Sequence, residues 1–241
     1  MLATRLMGAT SAAATSPIQY VGGYVQGFNG TTRDVTISLT SLTGGLASAP
    51  AAGDLVIVYF GVASSTNLDL VVGSSYTEIV ELYANDTEDT NLVVARKFMG
   101  ATPDTSFELT NGTFSLSNAG AVAVQVWRGV DAVTPLDVTS TTATGTNSVL
   151  CNPPAITPTT SGAIIVSGGA GAYSDATART YSSSDLTQFI SVGRADSNSV
   201  VIGLGYHVWT SGSFDPAQFT FSSVDSTANS WAAVTLALRP A

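Results

Sequence analysis

The stretch Leu55-Val-Ile-Val-Tyr-Phe60 is apolar at six consecutive positions. A short run with no polar face is typical of a central strand that is buried on both sides. Val35-Thr-Ile-Ser-Leu39 instead alternates apolar and polar residues, as a half-buried strand does. Further strands are predicted over 77–83, 91–98, 105–109, 121–127, 163–167, 187–193, 199–209, 217–222 and 231–238. Since no amphipathic helix pattern exceeds two turns, the sequence predicts an all-β protein.

The composition agrees with many short strands joined by turns. The chain of 241 residues has 23 Gly and 9 Pro, while Lys occurs once, at Lys97, and Glu only four times. Val, Ile, Thr, Tyr and Phe fill the ordered stretches, which is the usage that strands favour. The hydrophobic fraction of 44% is too high for a disordered chain. No run of about 18 apolar residues occurs, so we expect no membrane insertion.

The second half of the sequence repeats the apolar pattern of the first half at an offset of about 110 residues. Gly53-Asp-Leu-Val-Ile57 matches Gly162-Ala-Ile-Ile-Val166. Six more matches follow: Thr77–Leu82 with Thr187–Val192, Asp86 with Asp196, Leu92–Val94 with Val200–Ile202, Phe107–Leu109 with Phe219–Phe221, Ala121–Val124 with Ala233–Leu236, and Asp34–Thr36 with Asp137–Thr139. The apolar pattern repeats, whereas Glu78 and Glu81 become Gln188 and Ser191, so the halves share a packing solution rather than a reaction centre.

These matches predict a β-sandwich, jelly-roll or Ig-like, built from two pseudo-repeats. The first repeat covers residues 17–131 and the second covers residues 132–241. The repeats form either two tandem sandwiches or one interleaved sandwich. The junction near Gly129–Pro135 is short, so we expect close packing of the halves in either case.

The first 16 residues, Met1–Ser16, form a separate N-terminal arm. They lack the apolar run of seven or more residues that a signal peptide requires. The arm is either a frayed tail or a segment that orders against a neighbouring subunit.

The charge pattern restricts the partners. Eight basic and 17 acidic residues give a net charge of −9. We expect no nucleic-acid binding, because affinity for a phosphate backbone depends on clustered cations. Strand edges are usually blocked by Lys and other charges, and a chain with one Lys must cover its edges with loops, with its twin half or with copies of itself. We therefore expect a homo-oligomer.

The only His is predicted to be structural or solvent-facing, and the only Cys is predicted to be a small buried or loop thiol. His207 lies on an alternating strand on the same face as Trp209, and no Gly-x-Ser-x-Gly elbow accompanies it. Cys151 lies in Leu150-Cys-Asn-Pro-Pro154, where no neighbouring base would lower the pKa of the thiol. A single Cys also excludes an internal disulfide.

Other polar and aromatic groups suggest binding only weakly. Asp86, Glu88 and Asp89 could present oxygens to Ca²⁺, but their spacing is not that of an EF-hand, and a solvated hairpin tip is favoured. Trp127, Trp209 and Trp231 could stack on sugar rings, although core or rim packing is the simpler interpretation.

The sequence predicts neither a phosphate loop nor a glycosidase site. Gly168-Gly-Ala-Gly171 follows a strand but no helix pattern follows it, so a phosphate loop is not predicted. No pair of acids is marked by a motif as a glycosidase pair. The sequence thus predicts no catalytic, cofactor or metal residues, and it does not identify ligand-binding residues.

Several stretches together resemble short β-rich proteins that are encoded among the structural genes of tailed bacteriophages. They are Ala49–Val58, Val126–Asp131, Thr134–Val138, Pro153–Thr157 and Trp231–Pro240. The resemblance covers most of the chain after about Ile18, and the arm has no counterpart in it. It implies a non-enzymatic virion protein on the particle exterior, and it supplies no catalytic residue.

Three functions follow in order of preference. The first is a virion component: a tail fibre, a tail tip, a receptor-binding protein or a capsid decoration protein, with other virion proteins, copies of itself and a host surface glycan as partners. The second is a lectin-like carbohydrate-binding module. The third is a polysaccharide-degrading enzyme, which would need two close acids in a cleft.

Overall fold

The computed structural model describes residues 17–29, 34–73, 75–110, 119–196, 198–222 and 229–241. The arm 1–16 lies outside these ranges. The described residues form strands and no helix, so the all-β prediction is confirmed. The strands are β1 (Gln19–Phe28), β2 (Asp34–Ser38), β3 (Leu55–Ser64), β4 (Val71–Val72), β5 (Thr77–Ala84), β6 (Asp89–Phe98), β7 (Ser106–Thr110), β8 (Gly120–Arg128), β9 (Thr141–Gly145), β10 (Ile164–Tyr173), β11 (Tyr181–Ser182), β12 (Thr187–Arg194), β13 (Ser199–Val208), β14 (Thr220–Phe221) and β15 (Trp231–Leu238).

Two five-stranded antiparallel sheets form the centre of the molecule. The first has the order β1-β8-β3-β6-β5, and the second has the order β12-β13-β10-β15-β9. The strands of the first sheet lie between residues 19 and 128, and those of the second lie between residues 141 and 238. Each sheet therefore draws its described strands from one half of the chain.

Two smaller sheets accompany the five-stranded pair. The first consists of β2, β7 and β4, and the second consists of β11 and β14. Apolar residues of the first small sheet, among them Ile37 and Leu109, cluster with Val58 and Phe60 of β3. In the other half, Tyr181 and Phe221 cluster with Val201 of β13. Each five-stranded sheet is thus covered by a smaller sheet on its outer face.

The inner faces of the two five-stranded sheets share the largest buried cluster of the molecule. Leu55, Ile57 and Tyr59 point from β3 into this shared core, where they meet Ile164 and Val166 of β10. The intervening residues Val56, Val58 and Phe60 point into the outer core instead. This division explains why the stretch 55–60 is apolar at every position.

The stacking of the two sheets follows from the contacts between their strands. β3 packs on β10, β1 packs on β12, and β5 packs on β9. The central strands therefore face one another, and each edge strand of one sheet lies over an edge strand of the other.

The sheets come closest where small side chains line the shared core. A Cβ atom added at Gly61 would lie 2.6 Å from the Cβ atom of Ala170, so the two backbones are in close approach there. Ala121 and Ala232 contribute to the same face. Any larger side chain at Gly61 would push the sheets apart.

At the edge where β1 lies over β12, large rings fill the space between the sheets. The ring centroids of Trp127 and Tyr206 are 4.9 Å apart, and those of Tyr20 and Tyr206 are 5.4 Å apart. Burial raises the pKa of Tyr20 to about 12, with a smaller contribution from Tyr206, so its hydroxyl stays neutral at physiological pH.

The chain covers the outer edge of β1 with its own loop. Gly23 and Thr43 exchange two backbone hydrogen bonds of 2.9 Å, and the Ala47 amide donates to the Val21 carbonyl. This loop satisfies backbone groups that would otherwise offer pairing sites to other strands.

Among the described residues, no helix has the length and apolar character needed to span a membrane.

The close approach at Gly61 predicts that Gly61→Ala destabilises the protein by about 1–3 kcal/mol, because the new methyl group overpacks the core against Ala170. Urea unfolding followed by circular dichroism measures the loss. Gly100→Ala is the matched control, since its Cβ would meet no atom within 4 Å; we expect a change within about 0.5 kcal/mol. Equal effects of the two substitutions would contradict the close approach.

Candidate functional site

A cleft of about 590 Å³ opens at the edge where β5 lies over β9. We call it the seam cleft, because one wall comes from each half of the chain. Its lining residues are Glu78, Ile79, Arg96, Leu136, Asp137, Val138, Thr139 and Ser140.

The two walls of the seam cleft are held by different elements. Arg96 lies on β6 opposite Thr77 of β5, at the end of the first sheet. The segment 136–140 leads into β9 and is tied to β15, since Leu136 bridges to Leu238 and the Asp137 amide donates to the Ala237 carbonyl. Both walls are therefore anchored to the rigid five-stranded sheets.

Asp137 is fixed by hydrogen bonds from the loop that precedes β10. Its Oδ2 atom accepts from the backbone amides of Thr159 and Thr160 and from the Thr159 hydroxyl. Burial acts to raise the pKa of this carboxyl, but the hydrogen bonds outweigh that effect and hold the pKa below its ordinary value. Asp137 is therefore an ionised residue whose Oδ2 atom has structural partners.

Arg96 is paired through its backbone, but its guanidinium has no hydrogen bond or ion pair with the part of the chain that the structure describes. Arg96 is partly buried, and Glu78, on the same wall of the cleft, is exposed. Thr139 and Ser140 add hydroxyl groups, while Ile79, Leu136 and Val138 add apolar surface. The cleft thus combines donors, acceptors and an apolar wall.

The acidic stretch 85–91 connects β5 and β6 as a hairpin tip in which Asn85 and Thr87 are exposed, and it also bonds to the second half of the chain. The Oδ2 atom of Asp86 accepts from the Asn147 amide at 2.6 Å, across the junction between the halves. Asp89 is 3% exposed, and it accepts from the Tyr83 hydroxyl and the Asp86 amide. Within the described ranges, no group of three or more His, Cys, Asp or Glu could hold a metal ion.

Thr90 is the polar centre of the contact between the halves. Its hydroxyl donates to the Ser230 carbonyl at 2.8 Å and accepts from the Ala172 amide at 2.9 Å. The Ser230 hydroxyl also lies 2.8 Å from the Glu88 carbonyl. One buried hydroxyl therefore connects β6 with both β10 and the segment before β15.

His207 and Cys151 occupy packed positions. The His207 ring stacks on Phe214 with centroids 4.0 Å apart and an interplanar angle of 14°. Cys151 is fully buried, and burial raises the pKa of its thiol far above the physiological range. The thiol is thus protonated and shielded from solvent, which makes it a poor nucleophile.

The Trp side chains differ in exposure. Trp127 is 1% exposed and belongs to the core between the sheets, so it cannot stack on an external ring. Trp209 follows β13 and its indole donates to the Gly212 carbonyl. Trp231 begins β15 and covers Gly145 of β9.

The run 168–171 lies inside β10 and is buried, which does not match a phosphate loop.

The sequence does not predict the seam cleft. Arg96 and Asp137 are separated by 41 positions, and neither belongs to a recognisable motif. The only available signal is a cation that follows the apolar run 92–95 within a predicted strand.

No protein-family model matches the chain, and comparisons with curated proteins and with solved structures give no match.

The buried Thr90 hydroxyl generates a stability prediction. Thr90→Val keeps the shape of the side chain but removes its donor and acceptor, so we expect a loss of about 1–3 kcal/mol. Thermal and urea unfolding measure it. Thr142→Val is the control, because Thr142 is an exposed strand residue; a loss at Thr90 no larger than at Thr142 would contradict the assigned role.

The lowered pKa of Asp137 generates a pH prediction. A carboxyl with a depressed pKa stabilises the folded state above its ordinary value of 3.8, and that contribution is lost as the pH falls through the lowered value. We expect wild type to exceed Asp137→Asn by about 1 kcal/mol at neutral pH, given partial solvent screening. The difference should vanish on acidification. A constant difference from pH 7 to pH 2 in urea unfolding would refute this assignment.

Proposed function

We propose that this chain is a non-enzymatic structural protein on the exterior of a bacteriophage particle, in a tail fibre, a tail tip, a receptor-binding component or a capsid decoration. The observation that carries the proposal is the use made of its polar groups. Thr90 and Asp86 bond the two halves together, Asp89 fixes the Asp86 amide within the first half, and Asp54 forms a two-hydrogen-bond pair with Arg128. These groups support a rigid body, as a particle component requires.

The proposal includes an internal duplication into residues 17–131 and 132–241, each a small sandwich. The strand order β1-β8-β3-β6-β5 corresponds to β9-β15-β10-β13-β12. Both sheets have an irregularity at the same place, between Glu78 and Val80 and between Thr187 and Ile190. The matching strand order and the matching position of the bulge support descent from one unit, since bulges are specific features of a strand.

Matching turns support the same duplication. Gly53 and Gly162 precede the central strands β3 and β10 with φ values of 83° and 84°. Each lies in a turn closed by a 3.1 Å hydrogen bond, from Asp54 to Ala51 and from Ala163 to Thr160. A left-handed residue at this turn position favours glycine.

The registers of strand pairing change two of the matches between the halves that the sequence suggests. Ala121 lies opposite Gly61, and Ala232 lies opposite Ala170, so Ala121 corresponds to Ala232 rather than to Ala233. Asp34 begins β2, whereas Asp137 precedes β9, so this pair does not share a position. Strand pairing is therefore better support for the proposed duplication than matches of residue type along the sequence are.

The proposed partners are other virion proteins and further copies of this chain. The arm 1–16 would tether the subunit, leaving the sandwich body toward solvent or host. Large apolar residues that are exposed support contacts with neighbours, and Val133, 92% exposed in the junction, is the clearest case.

Immunogold labelling of purified parent particles tests the proposal. We expect an antibody against the chain to label the head or the tail end, which would separate decoration from fibre or adhesin. Particles assembled with a chain lacking residues 1–16 should lose the label, while the truncated protein keeps the wild-type melting temperature. Absence of label on intact particles would overturn the virion assignment.

A carbohydrate-binding module is the second candidate, and the seam cleft is the observation that favours it. Binding of glycans by a protein that is absent from particles would select this candidate. The same protein could then be compared with its seam-cleft variants.

A further inference from the structure

We infer that the seam cleft is a saccharide-binding site in which Arg96 and Glu78 bind the hydroxyl groups of a neutral sugar. The inference deepens the proposed function, since it rests on the internal duplication and gives the exterior protein a ligand.

The duplication relates the seam cleft to the opposite edge, where β1 lies over β12. Arg96 pairs with Thr77, just as Tyr206 pairs with Thr187. Leu136 bridges to Leu238, just as Tyr20 pairs with Trp127. At the cleft edge, Arg96, Leu136 and Leu238 thus occupy the positions that Tyr206, Tyr20 and Trp127 occupy at the opposite edge.

The three aromatic residues close their edge of the molecule. Tyr20 and Trp127 have ring centroids 5.3 Å apart, and Tyr206 contacts both rings. At the other edge, two leucines and an arginine take these places. Smaller apolar groups leave the space of about 590 Å³ that forms the cleft, which is within the usual size of small-ligand sites.

Arg96 requires a partner that the described residues do not provide. Arg96 is partly buried as a residue and lines the cleft together with Ile79, Leu136 and Val138, and its guanidinium has no hydrogen-bond partner in the described chain. A ligand that accepts hydrogen bonds would pair with these donors.

The charges of the cleft select a neutral ligand. Arg96 contributes one positive charge, whereas Glu78 and Asp137 contribute two negative charges. An anion would face the carboxylates, and a cation would face the guanidinium. A polyol both accepts from Arg96 and donates to Glu78, and the C–H face of a sugar ring can rest on Leu136 and Ile79.

The first experiment is a screen of neutral saccharides by saturation-transfer NMR, followed by calorimetric titration of the best binder. We expect wild type to bind and Arg96→Gln to weaken the affinity by about 10-fold or more, the effect of losing a charged hydrogen bond. Glu78→Gln should weaken binding less, because an amide can still accept a hydrogen bond.

Arg194→Gln is the matched control. It removes the same charge from β12 at the opposite edge, where Arg194 contacts Asn29. We expect it to leave the affinity within about 2-fold of wild type. An equal loss in Arg194→Gln and Arg96→Gln would assign the effect to net charge and overturn the site.

A second variant fills the cleft without removing the fold. The double substitution Arg96→Tyr and Leu136→Tyr copies two residues of the closed edge into the cleft. We expect binding to disappear while the melting temperature stays at or above the wild-type value. Undiminished binding in this folded variant would contradict the inference.

The outcomes separate this inference from the proposed function. A protein that labels particles but binds none of the neutral saccharides refutes the saccharide site and leaves the virion role in place. A protein that binds through Arg96 but labels no particle supports the site and refutes the virion role.

Discussion

Packing between the two five-stranded sheets in their shared core is the main constraint on the structure. The sheets can approach closely because Gly61 faces Ala170 and because alanines line much of the same face. A residue such as Tyr59 then reaches the opposite sheet, where its hydroxyl donates to the Val234 carbonyl at 3.0 Å. The inner faces of both sheets are therefore buried by each other, and each sheet is covered by smaller strands outside.

This packing determines what is left at the edges. Two sheets that meet at small residues near their centre require bulkier side chains where they separate. Tyr20, Trp127 and Tyr206 provide that bulk at one edge. At the other edge Leu136 and Arg96 do not, and a cleft remains. The difference between the edges links the packing of the molecule to its proposed ligand site.

The all-β class and most strands could be predicted because burial fixes the residue pattern. The run 55–60 shows this directly, since β3 separates two cores. β1 was missed because Gly22, Gly23 and Gly27 interrupt its apolar pattern, and β9 was missed because Thr141–Gly145 has little apolar character. The seam cleft could not be predicted, because it depends on how the halves stack, and this information is not local to any stretch of sequence.

The most direct test of the shared core is scanning calorimetry of the full chain. A core common to both halves makes them unfold together, so we expect one transition with a calorimetric enthalpy equal to the van't Hoff enthalpy. If each half were stabilised by its own outer core alone, the halves would unfold independently. Two resolved transitions, or a calorimetric enthalpy near twice the van't Hoff value, would contradict a core that is common to both halves.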